Sequence, residues 1–125
     1  MQNVLLLALG GVLGTLSRYY MGLQFAARFG LDFPYGTLVI NVTGCFIIGL
    51  VGSLAAERVW VTPELRLLLG VGFCGAYTTF SSFGYETVLL VRMGAFAQAG
   101  FYVLASNALG LLAVFLGVKL AGLVV

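Results

Sequence analysis

Residues 75–83 read Gly75-Ala76-Tyr77-Thr78-Thr79-Phe80-Ser81-Ser82-Phe83, and the organisation of the whole chain can be worked out from them. They lie near the middle of an apolar run long enough to cross a membrane, yet they include four threonine and serine residues and follow Gly70 and Gly72. Hydroxyl side chains compete with the backbone for helical hydrogen bonds, and glycine weakens a helix further. The sequence therefore predicts a helix that is interrupted near residues 75–79, at mid-membrane.

An interrupted helix leaves backbone carbonyl groups without partners, and lipid cannot supply any. Such carbonyls are tolerated where they line a cavity or bind a cation, and a hard cation such as Na⁺ suits oxygen ligands. Phe80 and Phe83 are three residues apart and share one helical face. Because the edges of aromatic rings are positively polarised, such a pair can accept an anion, although two phenylalanines in a membrane helix are by themselves ordinary packing residues.

The composition around this segment is that of an integral membrane protein. Of 125 residues, 62% are hydrophobic and 8% are charged, whereas a soluble domain carries about 25% charged residues. Four apolar runs, approximately residues 4–27, 37–56, 67–91 and 96–123, have the length of about 20 residues that a spanning helix needs. We predict an all-α membrane protein, a single domain over residues 1–125 with four transmembrane helices, the third broken near its middle. Four helices are too few to enclose a pore, so an oligomer is expected.

Basic residues are nearly balanced between the two sides of the membrane. Four spans place Arg58, Arg66 and Lys119 on one side, and Arg28 and Arg92 on the other. The positive-inside rule then gives little preference for one orientation. Insertion both ways round, with an antiparallel pair of subunits, is one expectation, and a fixed topology set by other signals is the alternative. In either case Trp60, in the charged loop between spans two and three, is expected at the membrane interface.

Several functional classes are disfavoured by what the sequence contains. The net charge of +2 has no basic cluster behind it, so no nucleic-acid partner is expected. Histidine is absent and only Cys45 and Cys74 could bind zinc, so these cysteines are expected to be buried apolar side chains. No nucleophile–base pair or phosphate-binding loop points to an enzyme. The N-terminal Met-Gln-Asn lacks the basic region of a signal peptide, so an inner or plasma membrane location is expected.

Polar residues within the spans are costly unless they are paired or face water, and they are therefore candidates for function. Arg18 in span one and Glu86 in span three are expected in the same half of the membrane, either as an ion pair or as charged walls of a water-filled vestibule. Asn41 in span two can donate hydrogen bonds through its amide. In span four, Tyr102 and Ser106 lie one turn apart and serve either as donors to a dehydrating ion or as contacts between helices.

Three groups of residues, taken together, resemble the fluoride-channel family known as Fluc or CrcB. They are Gly11-Val12-Leu13-Gly14 with Arg18-Tyr19, then Gly36-Thr37-Leu38-Val39-Ile40-Asn41, and then residues 75–83 followed by Glu86. Their order, spacing and positions within the spans are similar to those of the family along nearly the whole chain. The resemblance implies a fluoride-selective anion channel, not an enzyme, that exports cytoplasmic fluoride by passive flux and so lowers its toxicity.

The same resemblance implies an assembly. It is an antiparallel, dual-topology homodimer in the cell membrane, with two parallel fluoride pores and a structural Na⁺ at the subunit interface. The backbone carbonyls of Gly75 and Thr78 would hold the Na⁺. A dimer with a related but different subunit is the alternative, and the near-balanced charge argues against it.

Residue roles are also implied by the resemblance. Phe80 and Phe83 would form an aromatic box that lines the pore, and Asn41 would donate a hydrogen bond to the ion. Tyr102 and Ser106 would begin a track of polar groups on span four.

The remaining predicted site residues lie beside these. Thr79 and Ser81 are expected in the pore lining, and Arg18 and Glu86 in or near the vestibule. The chain departs from the family pattern where hydroxyls commonly follow Ser106 by one and two turns, because Gly110 and Val114 stand there. Asn107 is a candidate to compensate. Ser82, where the family often has threonine, keeps the hydroxyl.

Two rival functions belong to other classes. A small four-helix multidrug antiporter needs a titratable carboxylate in its first span, and span one contains Arg18 and no acid. A non-conducting subunit of a larger complex would carry scattered small residues without a central cluster of aromatic and hydroxyl side chains. The segment 75–83 is such a cluster, so both rivals are disfavoured.

Overall fold

The computed structural model describes residues 1–56 and 61–124. Helix α1 is Gln2–Phe29 and helix α2 is Tyr35–Ala56. The third span is built from four pieces: α3 (Pro63–Arg66), the π-helix π1 (Leu67–Cys74), the short turn α4 (Gly75–Tyr77) and α5 (Phe80–Arg92). Helix α6 is Phe96–Val124. Glu57, Arg58 and Trp60, for which a loop and an interfacial position are predicted, lie outside the described residues.

Four of these units are long and apolar enough to cross a membrane, with the third running from Pro63 to Arg92. The prediction of an all-α membrane protein with four spans is therefore confirmed. The third span is interrupted at Thr78 and Thr79, whose backbones are extended (φ −80°, ψ 157° and φ −151°, ψ 113°). The predicted interruption is thus confirmed, and it is confined to the last two residues of the range, since Gly75 keeps helical angles.

The helix ends follow ordinary capping chemistry. Thr62 caps α3 by accepting a hydrogen bond from the Leu65 amide at 3.2 Å, with Pro63 at the first helical position. Helix α5 ends where the Gly94 amide bonds to the Val91 carbonyl and the Ala95 amide to the Leu90 carbonyl. This pair of bonds requires a positive φ, which Gly94 supplies at 75°. The short turn between the last two spans is therefore encoded locally.

Two helix pairs form the bundle. Helix α2 packs along α6, and α1 packs along π1 and α4. A methyl group at Gly14 would lie against the Phe73 carbonyl and 3.0 Å from the Tyr77 amide nitrogen. A methyl group at Gly117 would lie against the Phe46 carbonyl and 2.8 Å from the Leu50 amide nitrogen. Absence of side chains at these contacts lets the backbones approach closely, α1 against the interrupted span at Gly14 and α6 against α2 at Gly117.

Candidate functional site

The interruption of the third span is fixed by one side chain of α2. Asn41 donates a hydrogen bond from Nδ2 to the Thr79 carbonyl at 3.0 Å and accepts one at Oδ1 from the Thr79 amide at 2.8 Å. Because Thr79 is extended and caps α5, its backbone amide has no helical acceptor at this point. Asn41 supplies that acceptor, which lipid could not, and adds a donor to the Thr79 carbonyl.

Helix α5 begins immediately after this extended pair. The Thr79 side chain accepts a hydrogen bond from the Ser82 amide at 3.2 Å, and its hydroxyl donates to Ser82 Oγ at 3.0 Å. The amino end of a helix carries a partial positive charge and amide groups without helical partners. A broken third span therefore places an electrostatically positive helix end within the apolar part of the membrane.

A narrow cavity of about 210 Å³ lies on one side of this helix end. It is lined by Asn41, Thr78, Thr79, Phe80, Phe83, Ser106 and Asn107. The rings of Phe80 and Phe83 have centroids 5.6 Å apart and an interplanar angle of 41°. The structure thus brings five of the predicted pore residues together around one cavity, namely Asn41, Thr79, Phe80, Phe83 and Ser106.

Ser106 has an unsatisfied hydrogen-bonding group at this cavity. Its Oγ is buried and has no hydrogen-bond partner within the part of the chain that the structure describes. A serine in a helix commonly bonds to a carbonyl one turn back, and Thr87 does so here with the Phe83 carbonyl at 2.7 Å. A buried hydroxyl without a partner costs free energy. Ser106 thus lines the narrow cavity with a buried hydroxyl that has no hydrogen-bond partner among the described residues.

A wider cavity of about 620 Å³ lies on the other side of the break. Its lining includes Arg18, Glu86, Thr79, Ser81 and Ser82. Thr79 borders both cavities, so they approach each other at the amino end of α5. Ser81 therefore lies with the vestibule candidates, whereas the aromatic pair faces the narrow cavity.

Three charged residues line the wide cavity, Arg18, Asp32 and Glu86, and Arg18 and Glu86 have other partners than each other. Arg18 donates from Nη1 to the Thr78 carbonyl at 3.4 Å, a long hydrogen bond. Glu86 accepts at Oε1 from the Thr37 hydroxyl and at Oε2 from the Tyr102 hydroxyl, both at 2.7 Å. The sequence left open whether Arg18 and Glu86 form an ion pair or line a water-filled vestibule. Because each of them bonds to other groups and both line the wide cavity, the second interpretation describes these contacts better.

Tyr102 occupies the core of the bundle. Its side chain is fully buried, with ring centroids 5.5 Å from Phe33 and 5.2 Å from Phe83. It touches Phe83 on one side and the Glu86 carboxylate at its hydroxyl, and it lines neither cavity. The predicted place of Tyr102 in a polar track stays a prediction. In the structure, Tyr102 connects the aromatic pair to Glu86, because its ring contacts Phe83 and its hydroxyl donates to the Glu86 carboxylate.

The carbonyls predicted to hold Na⁺ lie where helical bonding stops. Thr78 is extended, so the helix that ends at Tyr77 leaves its last carbonyls without the usual amide partners. Gly75 belongs to that last turn, and the Thr78 carbonyl is the one that faces Arg18. Backbone oxygens at a helix carboxyl end are suitable ligands for a monovalent cation, so the donor set fits Na⁺.

Three residues of the site were not among the predicted pore and vestibule residues, namely Thr37, Ser82 and Asn107, although Asn107 was named as a candidate to compensate for the missing hydroxyls. Thr37 bonds to Glu86, and it could have been identified because it lies one turn before Asn41 on the same face of α2. Asn107 lines the narrow cavity, but it lies next to Ser106 along the chain and so is off the face marked by the four-residue spacing. The four-residue spacing of polar residues on α6 therefore did not point to Asn107.

Comparison with known proteins identifies the family. Residues 5–118 match the sequence profile described as CrcB-like protein, Camphor Resistance (CrcB). The chain belongs to the CrcB family. The resemblance found in the sequence is therefore confirmed, and it covers nearly the whole chain.

Curated CrcB relatives carry one name. A "Fluoride-specific ion channel FluC" of Trichormus variabilis is 47% identical over 123 residues, covering 98% of this chain and 90% of that protein. Proteins of the same name from a Synechococcus strain and from Solibacter usitatus are each 51% identical, over 116 and 120 residues. These alignments cover 93% and 96% of this chain, and 89% and 98% of the respective relatives. The CrcB family is thus one of channel proteins and not of enzymes, as expected.

Proposed function

We propose that the protein is a fluoride-selective anion channel that lets fluoride leave the cytoplasm down its electrochemical gradient. The observation that carries this proposal is that two cavities share Thr79, at the amino end of α5, in their linings. Arg18 and the helix end attract an anion in the wide cavity, against the repulsion of Asp32 and Glu86, which also line it. The narrow cavity then offers hydroxyl, amide and aromatic groups without a full charge.

Selectivity for fluoride over chloride follows from the size and hydration of the ion. Fluoride is small and strongly hydrated, so it passes only where protein groups replace most of its water. The Ser106 hydroxyl, the Asn41 amide and the edges of Phe80 and Phe83 are such groups, and the cavity of about 210 Å³ brings them together. Because none of them is charged, the ion is not held too tightly to leave.

A channel needs no energy source for this task. Hydrogen fluoride crosses membranes as the neutral acid and ionises in the more alkaline cytoplasm. An open path for the anion is then sufficient to lower the internal concentration. Fluoride entering the wide cavity would pass Thr79, lose water among the aromatic and hydroxyl groups, and regain it beyond them.

The working unit in this proposal is an antiparallel homodimer with two pores. The narrow cavity opens on the side of the chain, where the Phe80 ring is 84% exposed. In a single subunit, its polar groups would face lipid chains, which cannot hydrogen-bond. A second subunit over this face would close the path, and the near balance of basic residues allows that subunit to be inverted.

A structural Na⁺ would complete the dimer at the carbonyls of Gly75 and Thr78. The cation would neutralise the negative carboxyl end of α4 at the membrane centre. Asn41 and Thr79 hold the neighbouring backbone in place through two hydrogen bonds, which would keep these oxygens at a fixed spacing.

The deciding experiment is fluoride efflux from vesicles that contain the purified protein, followed with a fluoride electrode. We expect efflux without a proton gradient in the wild type, and loss of efflux in Phe80→Ile and Phe83→Ile while the dimer still forms. Phe96→Ile is the matched control, since Phe96 is a comparably exposed phenylalanine (68%) outside both cavities.

Other outcomes would assign other functions. Cation exchange that depends on a proton gradient would indicate an antiporter, and absence of any flux would indicate a non-conducting subunit. Wild-type efflux in both phenylalanine variants would remove the aromatic pair from the mechanism.

A further inference from the structure

We propose that Asn107 is a further ligand of the permeating anion and that the ion path leaves α6 along the Asn107 face. This inference rests on the proposed channel function and gives a specific role to Asn107, which the sequence offered only as a candidate to compensate for the missing hydroxyls. It concerns the part of the path beyond Ser106, where the chain has no hydroxyl at the next two positions on the Ser106 face.

Those two positions are turned away from the narrow cavity. A methyl group at Gly110 would lie 3.4 Å from Cys45 Sγ, and the Val114 backbone lies directly against Gly49. Both positions therefore pack against α2, within the closest helix pair of the bundle. Neither residue lines the narrow cavity, and neither carries a hydroxyl, so the face one and two turns beyond Ser106 offers no donor to an ion in this cavity.

Asn107 lies on the open side instead. It lines the narrow cavity with Phe80, Phe83 and Ser106, and its side chain is exposed. Its Nδ2 donates to the Val103 carbonyl at 2.7 Å, which fixes the amide against its own helix. An amide nitrogen carries two hydrogens, and this bond uses one of them. The other hydrogen is available at the cavity.

The physical reason for the proposal is the free-energy cost of hydrogen-bond donors that have no acceptor in the membrane. Asn107 is near the middle of α6, where a polar amide in contact with lipid is unfavourable. The adjacent Ser106 hydroxyl is buried without a partner at the same cavity. Two neighbouring residues with hydrogen-bond donors, one tethered and one without a partner among the described residues, thus line a space that is also lined by aromatic rings. A small anion that accepts hydrogen bonds matches both.

The test is fluoride efflux from vesicles with Asn107→Leu, which keeps the size of the side chain and removes its donors. We expect the initial rate to fall at least about tenfold and the half-saturating fluoride concentration to rise, because a hydrogen bond to a charged group is lost. Asn107→Ser restores a donor and should recover part of both quantities. Gln98→Leu is the matched control, since Gln98 is an exposed amide of α6 outside the narrow cavity and should behave as wild type.

Melting temperature and elution volume separate a ligand from a packing residue. A wild-type rate in a folded Asn107→Leu protein would overturn the proposal. So would a lower rate in both Asn107 variants with the half-saturating concentration unchanged. If Asn107→Leu does not fold, the conclusion depends on Asn107→Ser. A half-saturating fluoride concentration above that of the wild type then supports the ligand role, and an unchanged one refutes it. No efflux in the wild type would refute the channel function and this inference with it, whereas normal efflux in the wild type and in Asn107→Leu refutes only the ligand role.

Discussion

The side-chain amide of Asn41 makes two hydrogen bonds to the backbone of Thr79. It donates to the Thr79 carbonyl at 3.0 Å and accepts from the Thr79 amide at 2.8 Å. From the sequence, Asn41 was expected to donate a hydrogen bond to the ion, because a polar side chain within a membrane span is costly unless it has a partner. The geometry adds a second task, since the same side chain holds the extended backbone in place. Nδ2 carries a second hydrogen, so Asn41 can brace the break and face the narrow cavity together.

Replacing Asn41 with aspartate should separate these tasks. The carboxylate can still accept from the Thr79 amide, but it repels the Thr79 carbonyl and any anion in the narrow cavity. We expect a folded dimer without fluoride efflux in the vesicle assay. Asn41→Leu should instead lose both backbone hydrogen bonds and destabilise the protein by about 1–3 kcal/mol in thermal unfolding. Normal efflux in Asn41→Asp would exclude Asn41 from the lining.

Arg18 should act through its charge on the anion concentration in the wide cavity. Arg18→Gln keeps a donor for the Thr78 carbonyl and removes the charge. At low ionic strength, we expect the fluoride flux to fall by roughly tenfold or more, because focused fields raise local ion concentrations by such factors. The difference should shrink as salt is added. Arg28→Gln, an exposed arginine outside the cavity lining, provides the control. A deficit independent of salt would contradict an electrostatic role.

At the scale of the element, the third span is two half-helices joined by two extended residues. The sequence predicted the interruption because threonine, serine and glycine are locally unfavourable for a helix, and this signal needs no tertiary information. The π-helical geometry of π1 could not be predicted in this way. Leu67–Cys74 reads as an ordinary apolar helix, and its widened backbone lies where Gly10 and Gly14 let α1 approach. Packing between helices, not local propensity, distinguishes the two geometries.

The close approach of α1 and the third span can be tested with a matched pair of glycines. In Gly14→Ala, the added methyl group meets the Phe73 carbonyl and lies 3.0 Å from the Tyr77 amide nitrogen, so the helices must separate. We expect destabilisation of about 1–3 kcal/mol and reduced flux, because α4 carries the residues before the break. Gly11→Ala has open space around its methyl group and should be neutral or slightly stabilising. Equal melting temperatures for the two variants would contradict this account of the seam.

At the scale of the whole molecule, a single chain leaves polar groups of the narrow cavity open on a face that lipid would cover. Apolar side chains are exposed along all four spans, as expected in a membrane, but Phe80 is exposed beside the Asn107 amide and the helix break. Because lipid cannot hydrogen-bond to these groups, we expect an assembly that covers this face. The charge count makes an inverted second copy the simplest candidate.

Dual topology can be measured directly in cells. A single cysteine added at the C-terminus, in a Cys45→Ala and Cys74→Ala background, should react with an impermeant thiol reagent from both sides of the membrane. Adding three lysines to one connecting turn should shift the population to one orientation, since the positive-inside rule then has a bias to act on. It should also reduce fluoride resistance, which co-expression with an oppositely biased variant restores. Labelling from one side only in the unbiased protein would refute the antiparallel dimer.

The sequence by itself determined the membrane class, the four spans, an interruption near residues 75–79 and the family. Each of these depends on local composition, or on the order of motifs along one chain. Only the tertiary structure placed Thr79 in the lining of two cavities, paired Asn41 with the Thr79 backbone, buried Tyr102 in contact with Phe83 and Glu86, and put Asn107 but not Gly110 in the lining of the narrow cavity. The physical reason is that these relations join different helices. Four-residue spacing fixes which residues share a face, but the close contact of α2 with α6 fixes which face meets the ion.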